Sequence, residues 1–347
     1  MEDIIVKNKK KRAARKREVK RKEKTMKTKI YIDGQAGTTG LQIYDRIGER
    51  DDLELLRIDE DKRHDLEERK KFLNAADIVF LCLPDDGARE AVSLIENPDV
   101  RVIDASTAHR TNDDWTYGFP ELSCEQREAI RTTKRLANPG CHATGIISST
   151  APLVKLEVLP SDYPLTAFSL TGYSGGGKKM IADYENEDRP YELASPGIYG
   201  LNLKHKHLPE IKKVAGLATD PVFLPIVDDY YKGMAGTIEL HNSMLNPTPA
   251  MKAAGKDSHP TAADIREALA DYYKKEHFIR VRPYEEKPST IYANELEGTN
   301  RLELVVCGNE EHTTITALFD NLGKGASGAA VQNMNIMLGL DEWTGLE

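Results

Sequence analysis

Apolar positions follow one pattern up to about residue 166 and another pattern after it. In the first part, short and almost continuously apolar runs such as residues 76–83 (ADIVFLCL) alternate with segments that can form helices. Such runs are typical of strands in a parallel sheet that is covered on both faces. In the second part, longer alternating strands and glycine-rich loops follow, beginning at residues 166–171. Residues 242–259 read as a loop, and residues 327–338 read as a final amphipathic helix. We therefore predict an α/β protein, in which a doubly wound parallel sheet is followed by a second domain of another kind.

A glycine-rich turn, Gly34 to Gly40 (GQAGTTG), stands between a predicted strand at residues 29–33 and a predicted helix at residues 41–47. The spacing Gly-x-x-Gly-x-x-Gly is a variant of the dinucleotide fingerprint, whose glycines allow a tight turn and let a pyrophosphate approach a helix N-terminus. An ordinary tight turn is the alternative. Because the turn connects a strand to a helix, we favour a dinucleotide site.

The end of the next predicted strand, residues 53–58, carries two residues that bear on the choice of dinucleotide. Arg57 can meet a 2′-phosphate, as in NADP, and Asp59 can meet a free 2′-hydroxyl, as in NAD. The local chemistry therefore leaves the choice between NADP and NAD open.

Cys141 comes directly after an Asn-Pro-Gly turn (residues 138–140) and before a segment that can be helical, residues 143–150. A thiol at a helix N-terminus lies among unpaired backbone N–H groups. These groups lower its pKa and can hold an oxyanion that forms on a carbonyl attacked by the sulfur. A cysteine is more often a small buried apolar residue, but a core cysteine rarely needs a turn in front of it. We therefore predict that Cys141 is a nucleophile.

Several polar residues follow the predicted parallel strands, whose carboxyl ends line the ligand crevice in folds of this kind. Helix capping is the alternative for the Asp and Ser side chains, and a surface charge is the alternative for the arginine. The residues are Pro84, Asp86, Ser106, His109 and Arg110.

The second part of the chain adds a cationic loop and a histidine pair. Residues 172–179 (GYSGGGKK) read as a loop too flexible for a core element, and Lys178 in this loop can face an anion; a linker is the alternative. His205 and His207 stand two residues apart, just before a predicted helix start at Pro209. Since no third metal ligand is evident, we predict general acid–base chemistry for this pair, with purely structural histidines as the alternative.

Composition and charge limit the remaining classes of function. The 347 residues favour two domains, and no segment approaches the roughly 18 apolar residues of a membrane span. Four cysteines without metal-like spacing favour reduced thiols and a cytoplasmic protein. Residues 1–25 carry a net charge of +8 (12 Lys and Arg against 4 Asp and Glu), which leaves −16 for the rest of a chain whose total is −8. An acidic body is a poor partner for nucleic acid, so such binding would belong to the basic extension at residues 1–26, which we expect to be disordered.

From Lys27 onwards the chain resembles the N-acetyl-gamma-glutamyl-phosphate reductase family, in its shorter, type 2 form. The motifs that carry the resemblance follow one another in the family's order. They are GQAGTTG (34–40), LPDD (83–86), DASTAHR (104–110), YGFPEL (117–122), NPGC (138–141), GYSGGGK (172–178), HKHLPEI (205–211) and DNLGKG (320–325).

The resemblance implies NADPH-dependent reduction of N-acetyl-L-glutamyl 5-phosphate to N-acetyl-L-glutamate 5-semialdehyde through a cysteine thioester, a step of arginine biosynthesis. It also implies a fold similar to that of aspartate-semialdehyde dehydrogenase. We expect a Rossmann-type nucleotide domain at residues 27–142, an α+β substrate and dimerisation domain with a mixed sheet at residues 143–322, and a C-terminal helix at residues 323–347 that returns to the first domain. A homodimer or homotetramer with no membrane association is expected.

The resemblance assigns site residues as well. The expected catalytic residues are Cys141, His205 and His207, with the roles of the two histidines undivided, and no metal is expected. The residues expected to bind the cofactor are Gly34, Gly37, Thr38, Thr39, Gly40, Arg57, Pro84 and Asn321. The residues expected to bind the substrate are Ser106, His109, Arg110, Gly175 and Lys178.

Three other functions compete with this one. A related acyl-phosphate reductase, acting on aspartyl phosphate or on a carrier-bound aminoadipate derivative, would share the chemistry and differ in the pocket. A non-enzymatic binding protein would use the basic extension to hold RNA or an anionic surface. A thiol hydrolase without a nicotinamide cofactor would leave the glycine-rich turn unexplained.

Overall fold

A computed structural model describes residues 27–284 and 288–347 of the chain and contains two sheets. The basic extension lies outside the described residues. The first sheet is parallel throughout, with strand order β2-β1-β3-β4-β6-β5. Its strands are β1 (Thr28–Asp33), β2 (Leu53–Leu56), β3 (Ile78–Leu81), β4 (Arg101–Asp104), β5 (Thr116–Tyr117) and β6 (Arg135–Ala137).

Helices cover both faces of this first sheet, as the continuously apolar strands predict. Side-chain caps fix two of the helix starts: Asp65 accepts from two backbone N–H groups at the start of the helix Leu66–Ala75, and Ser123 accepts from one at the start of the helix Cys124–Thr132. The helices are α1 (Thr38–Ile47), α2 (Leu66–Ala75), α3 (Asp85–Ser93) and α4 (Cys124–Thr132). Cys124, in a polar stretch of the sequence, is therefore the first residue of a helix.

The second sheet is mixed, with strand order β11-β12-β13-β10-β7-β9-β8. Strands β7 and β9 pair in parallel, as do β11 and β12, whereas the other neighbours are antiparallel. Its strands are β7 (Thr166–Gly172), β8 (Gly197–Ile198), β9 (Val222–Asp228), β10 (Met234–His241), β11 (Ile279–Val281), β12 (Leu302–Gly308) and β13 (His312–Phe319). The predicted α/β class, a parallel sheet joined to a mixed sheet, is confirmed.

One face of the second sheet packs on helices around a large core. The start of α9 is fixed by a capping box, in which Thr261 and Asp264 each accept from the other's backbone N–H. The helices of this part are α5 (Cys141–Lys155), α6 (Gly177–Glu185), α7 (Leu208–Ala215), α8 (Pro249–Ala253) and α9 (Ala262–Tyr273).

Two expectations about loops are wrong in detail. The segment 172–179 is not a flexible loop, because a 3₁₀ turn (Tyr173–Gly176) leads directly into α6. Backbone bonds from Tyr173 and Ser174 to the carbonyls of Tyr230 and Tyr231 hold this turn against the next connection. The segment 242–259 likewise contains α8.

The last helix, α10 (Gly328–Leu338), follows a π-helical turn (Gly323–Ser327). We expected an amphipathic helix here, but the helix is buried on all sides from Gly328 to Met337. Its apolar side chains pack in the same core as Ile30 of β1 and Ile43 of α1, so the chain crosses back after β13 to cover the first sheet. Buried asparagine and glutamine side chains, which break the apolar pattern along the helix, are hydrogen-bonded to neighbouring segments.

Candidate active site

A cleft of about 320 Å³ lies where the two sheets meet, and Cys141 lines it together with His205 and His207. Cys141 is the first residue of α5, with Gly140 as the N-cap, so the thiol stands at the positive end of a 15-residue helix. The histidines come from the segment just before α7. The structure therefore brings the three predicted catalytic residues together from elements far apart in sequence.

The ionisation of Cys141 differs from the sequence-based expectation. Burial raises the pKa of the Cys141 thiol above its usual value, although the Arg110 guanidinium, the backbone N–H of His142 and the Lys206 ammonium all act to lower it. The helix N-terminus thus does not by itself keep this group as a thiolate. A base and the charges of the cleft must support deprotonation during the reaction.

Glu210 connects the groups around the thiol, and sequence reasoning missed it. Its Oε1 accepts a hydrogen bond from Arg110 Nη1 (2.8 Å), and its Oε2 accepts from Tyr117 Oη (2.9 Å) and from the backbone N–H of Gly140 (3.3 Å). The carboxyl is buried, and burial raises its pKa while Arg110 opposes the rise. Glu210 therefore holds Arg110 and the turn before Cys141 in one arrangement. The sequence shows that Glu210 stands about one helical turn after His207, but it does not show that Glu210 contacts Arg110.

The histidine pair is held in its neutral form. Burial, with a contribution from Lys206, lowers the pKa of His205 to about 4, and burial with nearby Arg110 lowers the pKa of His207 well below its usual value. The backbone N–H of His207 donates to His205 Nδ1 (3.3 Å), which leaves the ring proton of neutral His205 on Nε2. Nδ1 of His207 is buried and has no hydrogen-bond partner among the described residues, whereas Nε2 lies 4.0 Å from Glu210 Oε1.

A third histidine, His142, lines the same cleft and was not singled out from the sequence. Its Nδ1 is 3.0 Å from Ser169 Oγ, and its Nε2 is 2.8 Å from Tyr199 Oη. Burial lowers the pKa of His142 to about 3, so this ring is neutral as well. His142 thus links Ser169 of strand β7 to Tyr199, which follows strand β8 and also lines the cleft.

The residues predicted to bind the substrate are only partly in this cleft. Arg110 and Gly175 line it, with Arg110 also donating to the carbonyls of Asn138 (2.9 Å) and Ala105 (3.0 Å). Ser106 and His109 are bonded instead to the buried Asp104 carboxylate, at 2.8 and 2.6 Å, and are not among the lining residues.

The two lysines near the site occupy different places. Lys178, predicted to bind substrate, lines a second cavity beside the glycine-rich turn, whereas Lys206 lines the Cys141 cleft. Lys206 stands between the two predicted histidines in sequence, which was the signal that could have identified it.

The second cavity, of about 830 Å³, lies along the glycine-rich turn and the end of β3. Gly34 has φ +87°, and a Cβ there would lie 2.8 Å from the carbonyl carbon of Cys82. A Cβ on Gly40 would lie 2.5 Å from the Gly34 oxygen, so the turn closes tightly only with glycine at both positions. Gly37 and Pro84 line this cavity too, and the predicted turn between β1 and α1 is present.

The remaining predicted cofactor residues line the Cys141 cleft, with one exception. Thr38 and Thr39 begin α1 and line the Cys141 cleft, as does Asn321, whose side chain bonds Ser174 and the backbone of Gly233. The hydroxyl of Thr38 is buried without a partner among the described residues. Arg57 is the exception: its guanidinium lies over the Tyr44 ring, 5.0 Å from the centroid, and it does not line the cavity. The glycine cradle, the cavity volume and the unpartnered hydroxyl fit a dinucleotide.

The fold and the two cavities define the class of protein. A parallel sheet with a dinucleotide turn, joined to a mixed sheet that presents a thiol at a helix start, is the plan of a semialdehyde dehydrogenase. The family model "Semialdehyde dehydrogenase, NAD binding domain" matches residues 35–132, and "Semialdehyde dehydrogenase, dimerisation domain" matches residues 141–321. A solved aspartate-semialdehyde dehydrogenase of Francisella tularensis is similar over 90% of this chain and 100% of its own, with a TM-score of 0.66 at 14% identity. That of Candida albicans, determined with NADP, covers 90% and 99% with a TM-score of 0.63.

Curated relatives specify the family. N-acetyl-gamma-glutamyl-phosphate reductase 2 of a Nostoc species is 46% identical over 332 residues, which are 92% of this chain and 99% of the relative. The N-acetyl-gamma-glutamyl-phosphate reductase of Mesorhizobium japonicum is 46% identical over 321 residues, 91% of this chain and 100% of the relative. The chain belongs to the N-acetyl-gamma-glutamyl-phosphate reductase family, and is an NADP-dependent oxidoreductase.

Two further observations concern the described residues alone. Their helices are all too short or too polar to cross a membrane. No group of three or more His, Cys, Asp or Glu side chains in that part of the chain is arranged to hold a metal ion.

Proposed function

We propose that this chain reduces N-acetyl-L-glutamyl 5-phosphate to N-acetyl-L-glutamate 5-semialdehyde and phosphate, with NADPH, as a step of arginine biosynthesis. The observation that carries the proposal is the convergence of Cys141, two neutral histidines and a dinucleotide cavity at one junction. Family membership identifies the acyl group of the substrate, since the curated relatives are named for that activity.

Cys141 is the nucleophile in this proposal. Its sulfur attacks the acyl carbon, the bond from that carbon to the phosphate oxygen breaks, and phosphate leaves as the thioester forms. The backbone N–H of His142, which acts to lower the pKa of the Cys141 thiol, stands with the other N–H groups at the start of α5. These groups stabilise the negative charge that develops on the carbonyl oxygen.

We assign different roles to the two histidines. His207 has a free, buried Nδ1 in its neutral form, so it accepts the thiol proton that Cys141 must lose. His205 carries its proton on Nε2, since its Nδ1 accepts from the chain, and therefore donates to the carbonyl oxygen. Replacing His207 with Asn should then lower kcat most, and replacing His205 with Asn should act on both kcat and KM.

The glycine-rich turn, Thr38, Thr39 and Pro84 would hold NADPH, with Asn321 on the wall of the Cys141 cleft. When bound, the cofactor supplies the hydride that brings the thioester to the aldehyde oxidation level. Arg110 and Lys206 are the cations on the cleft wall, and we place the substrate's anionic groups beside them. Because Lys178 lines the cofactor cavity, we propose that it contacts the dinucleotide, where the sequence favoured the substrate.

An absorbance assay in the aldehyde-oxidising direction tests the proposal. Purified protein receives N-acetylglutamate semialdehyde, phosphate and NADP, and aspartate semialdehyde serves as the matched control substrate. We expect NADPH formation that depends on phosphate and is lost in Cys141→Ser, which keeps its NADPH affinity. Turnover with aspartate semialdehyde alone would instead identify the chain as the related reductase that acts on aspartyl phosphate.

The remaining expectations are part of the same proposal. We propose the domain limits 27–142, 143–322 and 323–347, since the two family models divide near Cys141 and α10 packs on the first sheet. The match to a dimerisation domain supports an oligomer, and we propose a homodimer or homotetramer. Binding of nucleic acid is expected only of the basic extension. We propose a cytoplasmic location, which the four free cysteines support.

A further inference from the structure

The connection between β2 and α2 forms one wall of the dinucleotide cavity. Ile58, Glu60, Arg63 and His64 of this connection line the cavity together with the glycine-rich turn. In a doubly wound sheet the adenosine half of a dinucleotide lies beside the end of β2, which is next to β1 in this sheet. The groups on this wall are therefore the ones that meet the 2′ position of the adenosine ribose.

The cations near this wall differ in how strongly they are engaged. Arg69 is buried and bonds Asp33 (2.9 Å) and Glu90 (2.6 Å), so it is committed to the protein interior. Arg57 bonds the Tyr44 hydroxyl and lies over the Tyr44 ring. Neither is therefore placed to meet a phosphate in the cavity: Arg69 has two carboxylate partners, and Arg57 does not line the cavity.

Arg63 is engaged weakly and on the cavity side. Its Nη1 lies 3.3 Å from Glu60 Oε1, and both side chains are exposed. An exposed ion pair of this kind contributes little, so its guanidinium is available to a more highly charged anion. Its Nε also lies 3.3 Å from His64 Nε2, which places a second nitrogen-bearing side chain on the same wall.

We propose that Arg63, with His64 beside it, binds the 2′-phosphate of NADPH and sets the preference for NADP over NAD. This inference rests on the proposed function only in requiring that a nicotinamide dinucleotide binds at all. A planar guanidinium can bond two phosphate oxygens at once, and charge-assisted bonds of this type are among the stronger ones in proteins. Arg57, the residue that strand position alone favours, is not the phosphate ligand.

Direct binding measurements test this inference without turnover. The affinities of the full chain for NADPH and NADH are measured by fluorescence titration in wild type, Arg63→Gln and the matched control Arg57→Gln. We expect Arg63→Gln to weaken NADPH binding by roughly 10- to 100-fold and to leave NADH binding unchanged. Arg57→Gln should change neither affinity by more than about 2-fold, as expected for a residue outside the contact. Because both side chains are at the surface, equal unfolding temperatures should show that all three proteins are folded.

Two results would overturn the assignment while leaving the reductase intact. One is an Arg63→Gln protein that keeps the wild-type ratio of NADPH to NADH affinity. The other is loss of that ratio in Arg57→Gln, which would return the phosphate to the end of β2. A wild-type chain that binds neither nucleotide would instead refute the proposed function together with this inference.

Discussion

At the scale of single residues, the site consists of ionisable groups that are buried and are kept neutral or paired. Cys141 has a raised pKa, the three histidines of the cleft have lowered ones, and Glu210 is buried against Arg110. These residues are therefore neutral or paired before the substrate enters. The reaction must move a proton from sulfur to nitrogen, and because both groups start neutral the transfer needs no charged base.

The raised pKa of Cys141 predicts how fast the thiol reacts with iodoacetamide. Because only the thiolate reacts, the rate should be low at pH 7 and should still be rising above pH 9. Alkylation of the Cys141 peptide is followed by mass spectrometry in a Cys124→Ser background, since Cys124 is exposed. A rate that is already constant below pH 7 would show a thiolate stabilised by the helix N-terminus, in conflict with this description.

Replacing Glu210 with Gln removes the buried charge that holds Arg110 and the Gly140 turn. We expect the free energy of unfolding to fall by on the order of 3 kcal/mol, because Arg110 is left without its partner. A shift of the cysteine turn should also lower kcat/KM by roughly 100-fold. Urea unfolding and steady-state rates measure both effects, with the exposed Glu267→Gln as control. Wild-type kcat/KM in a folded Glu210→Gln protein would exclude the positioning role.

At the scale of elements, the N-terminus of α5 is the critical one. Gly140 caps this helix where three side chains from other elements converge, and a Cβ there would lie 2.6 Å from Glu210 Oε1 and 2.7 Å from His207 Cε1. The φ of Gly140, −79°, is open to any residue. Glycine is therefore required here for the close approach of these side chains and not for the backbone conformation. The Pro-Gly turn before Cys141 therefore permits close packing as well as the change in chain direction.

Gly140→Ala should be destabilised by about 1–3 kcal/mol, as for an overpacked core position. It should also lose most of its activity, because Glu210 and His207 must move to make room for the methyl group. Thermal unfolding and the phosphate-dependent assay report the two losses. Gly197→Ala serves as control, since its Cβ would meet Val227 at an ordinary 3.7 Å. Equal behaviour of the two variants would count against the convergence at Gly140.

The sequence predicts those parts of the site that are local in the chain. The strand–glycine–helix order and the Cys141 turn are confirmed in the structure, because they depend on neighbouring residues. Glu210 was missed since its partners Arg110 and Gly140 are distant in sequence and meet only after both sheets form. Lys178 and Lys206 could not be assigned to their cavities for the same reason.

At the scale of the whole molecule, the crossing of the chain back to the first sheet is held by a buried ion pair. Lys324 Nζ donates to Glu121 Oε1 (2.6 Å) and to Gln332 Oε1 (2.7 Å), and both charged side chains are nearly inaccessible. Lys324 lies in the π-helical turn before α10, and Glu121 follows β5 at the edge of the first sheet. The pair therefore joins the last crossing to the first sheet.

Lys324→Met leaves the Glu121 charge buried without its partner, so the free energy of unfolding should fall by about 3–5 kcal/mol. The double variant Glu121→Leu with Lys324→Met should recover part of this loss, because no charge then remains buried. Urea unfolding of the two single variants and the double variant gives the comparison. Additive losses in the double variant would mean that the two residues do not stabilise the crossing as a pair.

The central claim is that Cys141 carries the acyl group as a thioester, and trapping that species tests it most directly. The protein is mixed with N-acetyl-L-glutamyl 5-phosphate without NADPH, quenched in acid, and analysed by mass spectrometry of the intact chain and of its peptides. We predict an added N-acetylglutamyl group on the Cys141 peptide, absent from Cys141→Ser and lost when NADPH is supplied. A wild-type protein that turns over but never carries the acyl group on Cys141 would contradict the account.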